Sequence, residues 1–220
     1  MTRPKSKSMP FVWATMTART EPWALGILLG GESRRMGADK PLLTVGGETL
    51  VERGVRRLSK GAADVMLSVG AMQRVLPAGL SQYSQVLDRV GGEGPLLGVE
   101  SLLAASPVPW VMIVPCDMPL VQAEHLQSLL GCRVDARAAH FAFDQRPRPF
   151  PMLLHTDTLG LLTELIDSGA RRLMDLLSTI DGVRVPISDS VADAVDFNLN
   201  TPADLDRWRA MEDGGLVDGP

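Results

Sequence analysis

The sequence predicts an α/β protein with a mostly parallel central sheet, and three observations predict it. Short, uncharged apolar runs recur along the first half and read as buried strands. The stretches between them carry apolar residues at helical spacing, which indicates a right-handed βαβ series around a parallel sheet. Finally, a glycine-rich loop, Asp88 and Asp117 each follow such a strand directly. In parallel sheets ligands bind beyond the carboxyl ends of the strands, so these three polar features are expected to converge on one sheet edge.

Taken in order, Ala24 to Leu29 is the first strand, because it is short, apolar and uncharged. Leu42 to Val45 is a short strand that turns at Gly46-Gly47. From Thr49 to Lys60 the apolar residues Leu50, Val51, Val55 and Leu58 mark a helix, with Glu52, Arg53, Arg56 and Arg57 expected outward. Val65 to Val69 and Gln85 to Leu87 are the next strands. Pro95 to Ala105 is a helix with proline at its start, where a missing N–H does no harm. Trp110 to Val114 is an apolar strand closed by Pro115, and Gln122 to Leu130 is the helix after it.

The second half is less regular. His140 to Phe143 and Phe150 to Leu154 are expected as strands of a hairpin on the main sheet, joined by the turn-rich segment Asp144 to Pro149. Thr156 to Ser168 and Arg171 to Ser178 read as helices separated by Gly169. Val183 to Pro186 is a strand and Pro202 to Met211 a closing helix.

A chain of 220 residues suits one domain with ample core. The expected organisation is an N-terminal extension over 1–22, a single domain over 23–212 and a loose tail over 213–220. A formal net charge of −4 argues against an extended nucleic-acid surface. No segment approaches the roughly 18 uninterrupted apolar residues of a membrane span. Prolines interrupt the short apolar stretch near the N-terminus, which therefore does not read as a secretory signal. Cys116 and Cys132 form neither a disulfide framework nor a metal motif. A reduced, cytoplasmic protein is expected.

The most informative segment is Leu28-Leu29-Gly30-Gly31-Glu32-Ser33-Arg34-Arg35-Met36-Gly37-Ala38-Asp39-Lys40. Glycines leaving a strand let backbone N–H groups approach a phosphate, and Arg34, Arg35 and Lys40 add positive charge. The P-loop pattern is absent, because Gly37 is followed by Ala38-Asp39 rather than Lys-Ser/Thr. The dinucleotide fingerprint is absent too, since Gly30 and Gly31 are adjacent. What the segment resembles is the L-x-G-G-x-S-x-R-M-G-x-D-K signature of molybdenum cofactor guanylyltransferases, with Leu29 where that family usually has alanine.

A second match is Phe197-Asn198-Leu199-Asn200-Thr201-Pro202-Ala203-Asp204-Leu205, which resembles the family's [VF]-N-[VLI]-N-T-P-x-D/E-L element. On a strand Asn198 and Asn200 share a face. Thr201 caps a helix that starts at Pro202, with Asp204 as reciprocal partner. Val114-Pro115-Cys116-Asp117-Met118-Pro119 resembles the family's P-C-D-x-P segment, and Gly94-Pro95-Leu96-Leu97-Gly98 its G-P-L-x-G element. The matches occur in order from Ala24 to Trp208.

The resemblance implies a three-layer Rossmann-like nucleotidyltransferase fold that binds GTP in its first half and the acceptor in its second. It implies that Leu28, Leu29, Gly30, Gly31, Lys40, Asp88 and Asp117 bind GTP. Asp117 would hold Mg²⁺, and Asp117, Lys40 and Arg35 would be catalytic. Asn198 and Asn200 would lie near the pterin acceptor. A carboxylate at a strand end suits Mg²⁺, which takes one or two carboxylates plus substrate phosphates; the structural alternative is a helix N-terminal charge before Gln122. For Asp88 the alternative is a turn cap.

Ser68 falls where the family often has asparagine, and that contact is not carried over. Arg146, Arg148, Arg171 and Arg172 lie in the acceptor half, the last two in a segment that resembles the family's G-x-R-R-x-M. Cys116 reads as a packing residue, and His125, His140 and His155 as structural histidines.

The implied reaction transfers GMP from GTP to the phosphate of molybdopterin and releases pyrophosphate. GTP and molybdopterin are the expected substrates, with transient contacts to other cofactor-biosynthesis proteins or molybdoenzymes. Sister cytidylyltransferases usually carry alanine before the second loop glycine, so Gly30-Gly31 favours guanine. The alternatives are a related enzyme using CTP or another phosphorylated acceptor, and a GTP-binding regulator without turnover.

Overall fold

The computed structural model describes residues 21–29, 39–91, 94–134 and 136–213. Gly30, Gly31, Arg34, Arg35 and most of the expected extension and tail lie outside them. The main sheet has seven strands: β1 (Trp23–Leu28), β4 (Asp64–Gly70), β5 (Ser84–Leu87), β6 (Trp110–Pro115), β7 (Ala138–Phe143), β8 (Arg146–His155) and β9 (Val183–Pro186). Its order is β5-β4-β1-β6-β8-β7-β9. Every neighbouring pair is parallel except those involving β8, which runs against both β6 and β7. The expected α/β class and mostly parallel sheet are observed. A separate two-stranded ribbon, β2 (Thr44–Val45) and β3 (Glu48–Thr49), turns at Gly46-Gly47 as the glycine pair predicts.

Seven helices are described: α1 (Leu50–Leu58), α2 (Pro95–Ala105), α3 (Ala123–Leu130), α4 (Leu159–Asp167), α5 (Leu173–Thr179), α6 (Asp189–Asp196) and α7 (Pro202–Asp213). The period-2 pleat of β1 sorts them into layers. Trp23, Leu25 and Ile27, joined by Leu29, pack with Val51, Val55 and Leu58 of α1 and with Leu126 and Leu129 of α3. Ala24 and Leu28 face the other way, against Leu96, Val99, Leu102 and Leu103 of α2 and Leu162 and Ile166 of α4. Gly26 shares that face because α2 runs too close for a side chain: a Cβ there would stand 2.7 Å from Leu102 Cδ1.

The Leu29 side chain is 2 % exposed within the α1-side core, so the departure from alanine adds packing there.

Three expectations need correction. The 144–149 connection is only a two-residue turn, Asp144-Gln145, with both residues at positive φ as a type I′ hairpin requires. Arg146 to Pro149 belong to β8. Prolines are tolerated there because β6 pairs only with Met152–His155, so the outer part of β8 has β7 alone as partner. The sequence also assigns no element to Asp189–Asp196, which forms α6. Finally, Arg53 does not point outward.

Arg53 is 5 % exposed and donates to both carboxylate oxygens of Glu212 at 2.8 Å. Its guanidinium also lies 5.0 Å from the ring centre of buried Trp208. Together with Leu50, Phe197, Leu199 and Leu205 this contact seats α7 against α1. Arg53→Ala leaves a sheltered carboxylate unpaired, so we expect a loss of about 3 kcal/mol, read as a melting point lower by roughly 6–12 °C. Thermal melts of Arg53→Ala against wild type check this.

Candidate active site

Because β1, β4, β5 and β6 are parallel, their carboxyl ends share one edge. Backbone bonds knit that edge together. Cys116 N–H donates to the Leu28 carbonyl (3.0 Å), Leu29 N–H to the Ser68 carbonyl (2.9 Å) and Asp88 N–H to the Gly70 carbonyl (2.9 Å). The side chains of Leu28 and Leu29 are buried, so any ligand contact they make is through the main chain.

Lys40 lies at the centre. It opens a short 3₁₀ turn, Lys40–Leu42, in which Pro41 supplies a preset backbone angle. Its Nζ donates to Asp117 Oδ2 and to Asn200 Oδ1, each at 2.9 Å. These residues are 77 and 160 positions away from it in the chain. Asp117 sits in the turn after β6, and its carbonyl accepts from Leu199 N–H at 2.9 Å, which fastens the Asn198–Asn200 segment beside it. Of the two Asp117 oxygens, Oδ1 takes no hydrogen bond among the described residues.

Asn198 and Asn200, expected on a strand, lie instead in an extended segment between α6 and α7. Leu199 between them is fully buried. Only Asn200 reaches Lys40; the Asn198 amide donates to the Asp196 carbonyl at 3.1 Å. The helix cap is as the sequence predicts. Asp204 Oδ2 accepts from Thr201 N–H (2.7 Å) and Asn200 N–H (3.0 Å), while Asp204 N–H donates to Thr201 Oγ1 (3.3 Å). The Thr201 hydroxyl, with the backbone N–H groups, holds the Asp204 carboxyl below its ordinary range.

Asp88 stands apart from this trio. Its Oδ1 is buried without a partner in the described structure. Burial, and then the nearby Glu100 carboxylate, push its pKa above the ordinary 3.8. Glu100 is 2 % exposed and is held by Arg89 (2.9 Å) and by the Thr163 hydroxyl (2.8 Å).

The sign follows from the raised folded-state pKa. The folded protein holds this proton more tightly than the unfolded chain. Stability from Asp88 is therefore greatest below about pH 4 and falls as pH rises through the folded pKa. We expect Asp88→Asn to raise the melting point at pH 7, with the gain vanishing near pH 3; pH-resolved thermal melts read it.

Ser68 is 1 % exposed, with its hydroxyl turned to α2, where a Cβ on Gly98 would stand 2.6 Å away. The turn before α2 needs glycine as well. Gly94 has φ 122, and a Cβ there would meet the Arg171 carbonyl at 2.9 Å. That contact brings the Ala170–Arg172 loop against the G-P-L-L-G segment.

Of the four acceptor-half arginines, Arg148 is taken up by Asp196 in a bidentate pair. Arg171 caps the Ile166 and Ala170 carbonyls, while Arg146 and Arg172 are exposed. The Cys116 thiol is pushed far up, chiefly by burial, which suits packing rather than nucleophilic attack. His125 caps α3, His140 bonds the Phe141 carbonyl and His155 accepts from Asp157 N–H. Among the described residues no group of three or more His, Cys, Asp or Glu is placed to hold a metal.

Sequence reasoning also missed a charged pair beside Lys40. Arg74, in the loop after β4, donates to Asp39 Oδ1 beside Lys40. An arginine in an irregular loop carries no periodic or motif signal, so only the tertiary fold reveals it.

A family model described as a MobA-like NTP transferase domain matches residues 25–183. The chain belongs to this family. As a MobA-like transferase it is a nucleotidyltransferase. It is 32% identical over 190 residues to a protein of Yersinia pseudotuberculosis named molybdenum cofactor guanylyltransferase, covering 86% of this chain and 95% of the relative.

Among solved structures it is similar to molybdopterin-guanine dinucleotide biosynthesis protein A from Archaeoglobus fulgidus. That match has a TM-score of 0.72 at 22% identity over 87% of this chain and 99% of the other. It is also similar to 2-C-methyl-D-erythritol 4-phosphate cytidylyltransferase from Thermus thermophilus, with a TM-score of 0.64 at 18% identity over 86% of this chain and 98% of the other. These structural likenesses concern the fold; one of the two neighbours is named for cytidylyl transfer, so fold alone does not choose the base. No helix among the described residues is long and apolar enough to cross a membrane.

Proposed function

We propose that this MobA-like transferase moves GMP from GTP to the phosphate of molybdopterin, yielding the guanine dinucleotide cofactor and pyrophosphate. The observation that carries the reading is the Lys40 ammonium, held at 2.9 Å by both Asp117 and Asn200. It joins the end of the glycine-rich loop to the two elements with the strongest family resemblance. The curated relative's name supports the choice of guanine and of the pterin acceptor, as does the Gly30-Gly31 pair.

In this reading the acceptor phosphate oxygen bonds to the α-phosphorus of GTP while the bond to the pyrophosphate oxygen breaks. The attacking phosphate is already anionic at neutral pH, so no side-chain nucleophile is needed. Catalysis then rests on positioning and on fixed positive charge. Lys40 is oriented by Asp117 and Asn200, so its charge is held in place before substrate arrives. Arg35 adds a second cation on the strength of the loop motif. Asn200 is set by the Asp204 cap and offers its amide beside the reacting phosphates. Asp88, past the end of the edge strand β5, offers a carboxylate to the nucleotide.

Mg²⁺ fits Asp117: the carboxylate follows a strand end and its Oδ1 takes no hydrogen bond among the described residues, so it could join substrate phosphates and water in an oxygen shell. Bound there, the ion would neutralise phosphate charge in the transition state. The unit over 23–212 would act as one nucleotidyltransferase domain. This reading includes a cytoplasmic setting.

A screen of purified protein with GTP, CTP and ATP against molybdopterin, read as pyrophosphate release, tests the assignment. Release with GTP alone supports it. A preference for CTP overturns the base, and binding of GTP with no product overturns the enzyme reading in favour of a regulator.

A further inference from the structure

Asp39 poses an electrostatic problem for any polyphosphate site. It precedes Lys40 in the chain, and its side chain is 43% exposed. Its carbonyl starts the turn that carries Lys40, accepting from Leu42 N–H at 3.0 Å. Left alone, this carboxylate would repel the phosphates that Lys40 is there to attract.

Among the described residues, the fold brings Arg74 to it. Arg74 Nη1 contacts Asp39 Oδ1 at 2.5 Å, and Arg74 Nε donates to the Val69 carbonyl at 3.3 Å. The arginine backbone is itself clamped: Gln85 on β5 accepts from Arg74 N–H and donates to the Arg74 carbonyl, both at 2.9 Å. Both ends of the residue are thus fixed. An ion pair this exposed contributes little to stability. Its effect should therefore appear in what the site binds.

We propose that Arg74 is a positioning residue for triphosphate binding. It neutralises Asp39 and holds the Asp39–Lys40 turn, so that the end of the loop presents net positive charge to the phosphates. The inference rests on the nucleotidyl-transfer reading above, but it concerns phosphates and holds whichever base is used.

A charge-deletion cycle tests it. Arg74→Gln exposes the carboxylate and is expected to raise KM for the triphosphate about tenfold, with kcat changed less than about twofold, as one uncompensated charge near a phosphate predicts. Arg74→Lys should retain most of the affinity. Arg74→Gln combined with Asp39→Asn should return KM to within about threefold of wild type, because nothing is left to neutralise. Melting points of the variants report folding.

If the double variant is no better than Arg74→Gln, the arginine acts on the ligand directly and the proposal is wrong. An unchanged KM in Arg74→Gln overturns it equally. Wild type that turns over GTP or CTP while rescue fails sinks this inference alone. Wild type that binds no triphosphate sinks both this inference and the function.

Discussion

Asp117→Asn should abolish turnover, by about 10³-fold or more, while leaving the melting point within about 2 °C of wild type. The two effects separate because of how Asp117 is used. Its main-chain carbonyl fastens Leu199, and the substitution leaves that bond intact. Its side chain is 22 % exposed and pairs only with Lys40 among the described residues, so its loss costs the fold little. Asparagine keeps the volume and can still accept from Lys40, but it offers no carboxylate to Mg²⁺ beside the phosphates. Pyrophosphate release and a thermal melt on the same preparation read both quantities. Activity within tenfold of wild type would remove Asp117 from the metal role.

Lys40→Met should be nearly as damaging, by about 10²- to 10³-fold in kcat/KM, because it deletes the fixed cation. Lys40→Arg is not a conservative change here. A planar, forked guanidinium cannot take the place of a compact ammonium between Asp117 and Asn200. Asn200→Ala removes one group that aims Lys40 and should cost less, about 10- to 50-fold. The two substitutions share one bond, so the double variant should fall no further than Lys40→Met. Full additivity in steady-state kinetics would mean that Asn200 acts independently of the lysine.

How legible the molecule was depends on which signals are local. Ala24 to Leu29 is uncharged and apolar at every position, and it became the buried centre of the sheet. The carboxyl-edge placement of Asp88 and Asp117 follows from parallel strands alone; the structure joins Asp117 to Lys40 and leaves Asp88 apart from them. The Thr201–Asp204 cap is set by four consecutive residues and was equally readable.

Non-local determinants were not readable. Arg53 looked like a solvated helix residue until α7 arrived with Glu212 and Trp208. α6 is short, and its Ala192, Ala194 and Val195 are small, so the periodic signal was weak. Asn198 and Asn200 shared one motif, yet Leu199 turns into the core and only Asn200 meets the lysine. The Arg74–Asp39 pair left no pattern in the chain at all.

The most direct measurement follows the α-phosphorus itself. With GTP labelled at the α-phosphate, molybdopterin and Mg²⁺, GMP transfer predicts that the label ends in the pterin dinucleotide while unlabelled pyrophosphate is released. Label that remains in GTP, or appears only as free GMP, would contradict it.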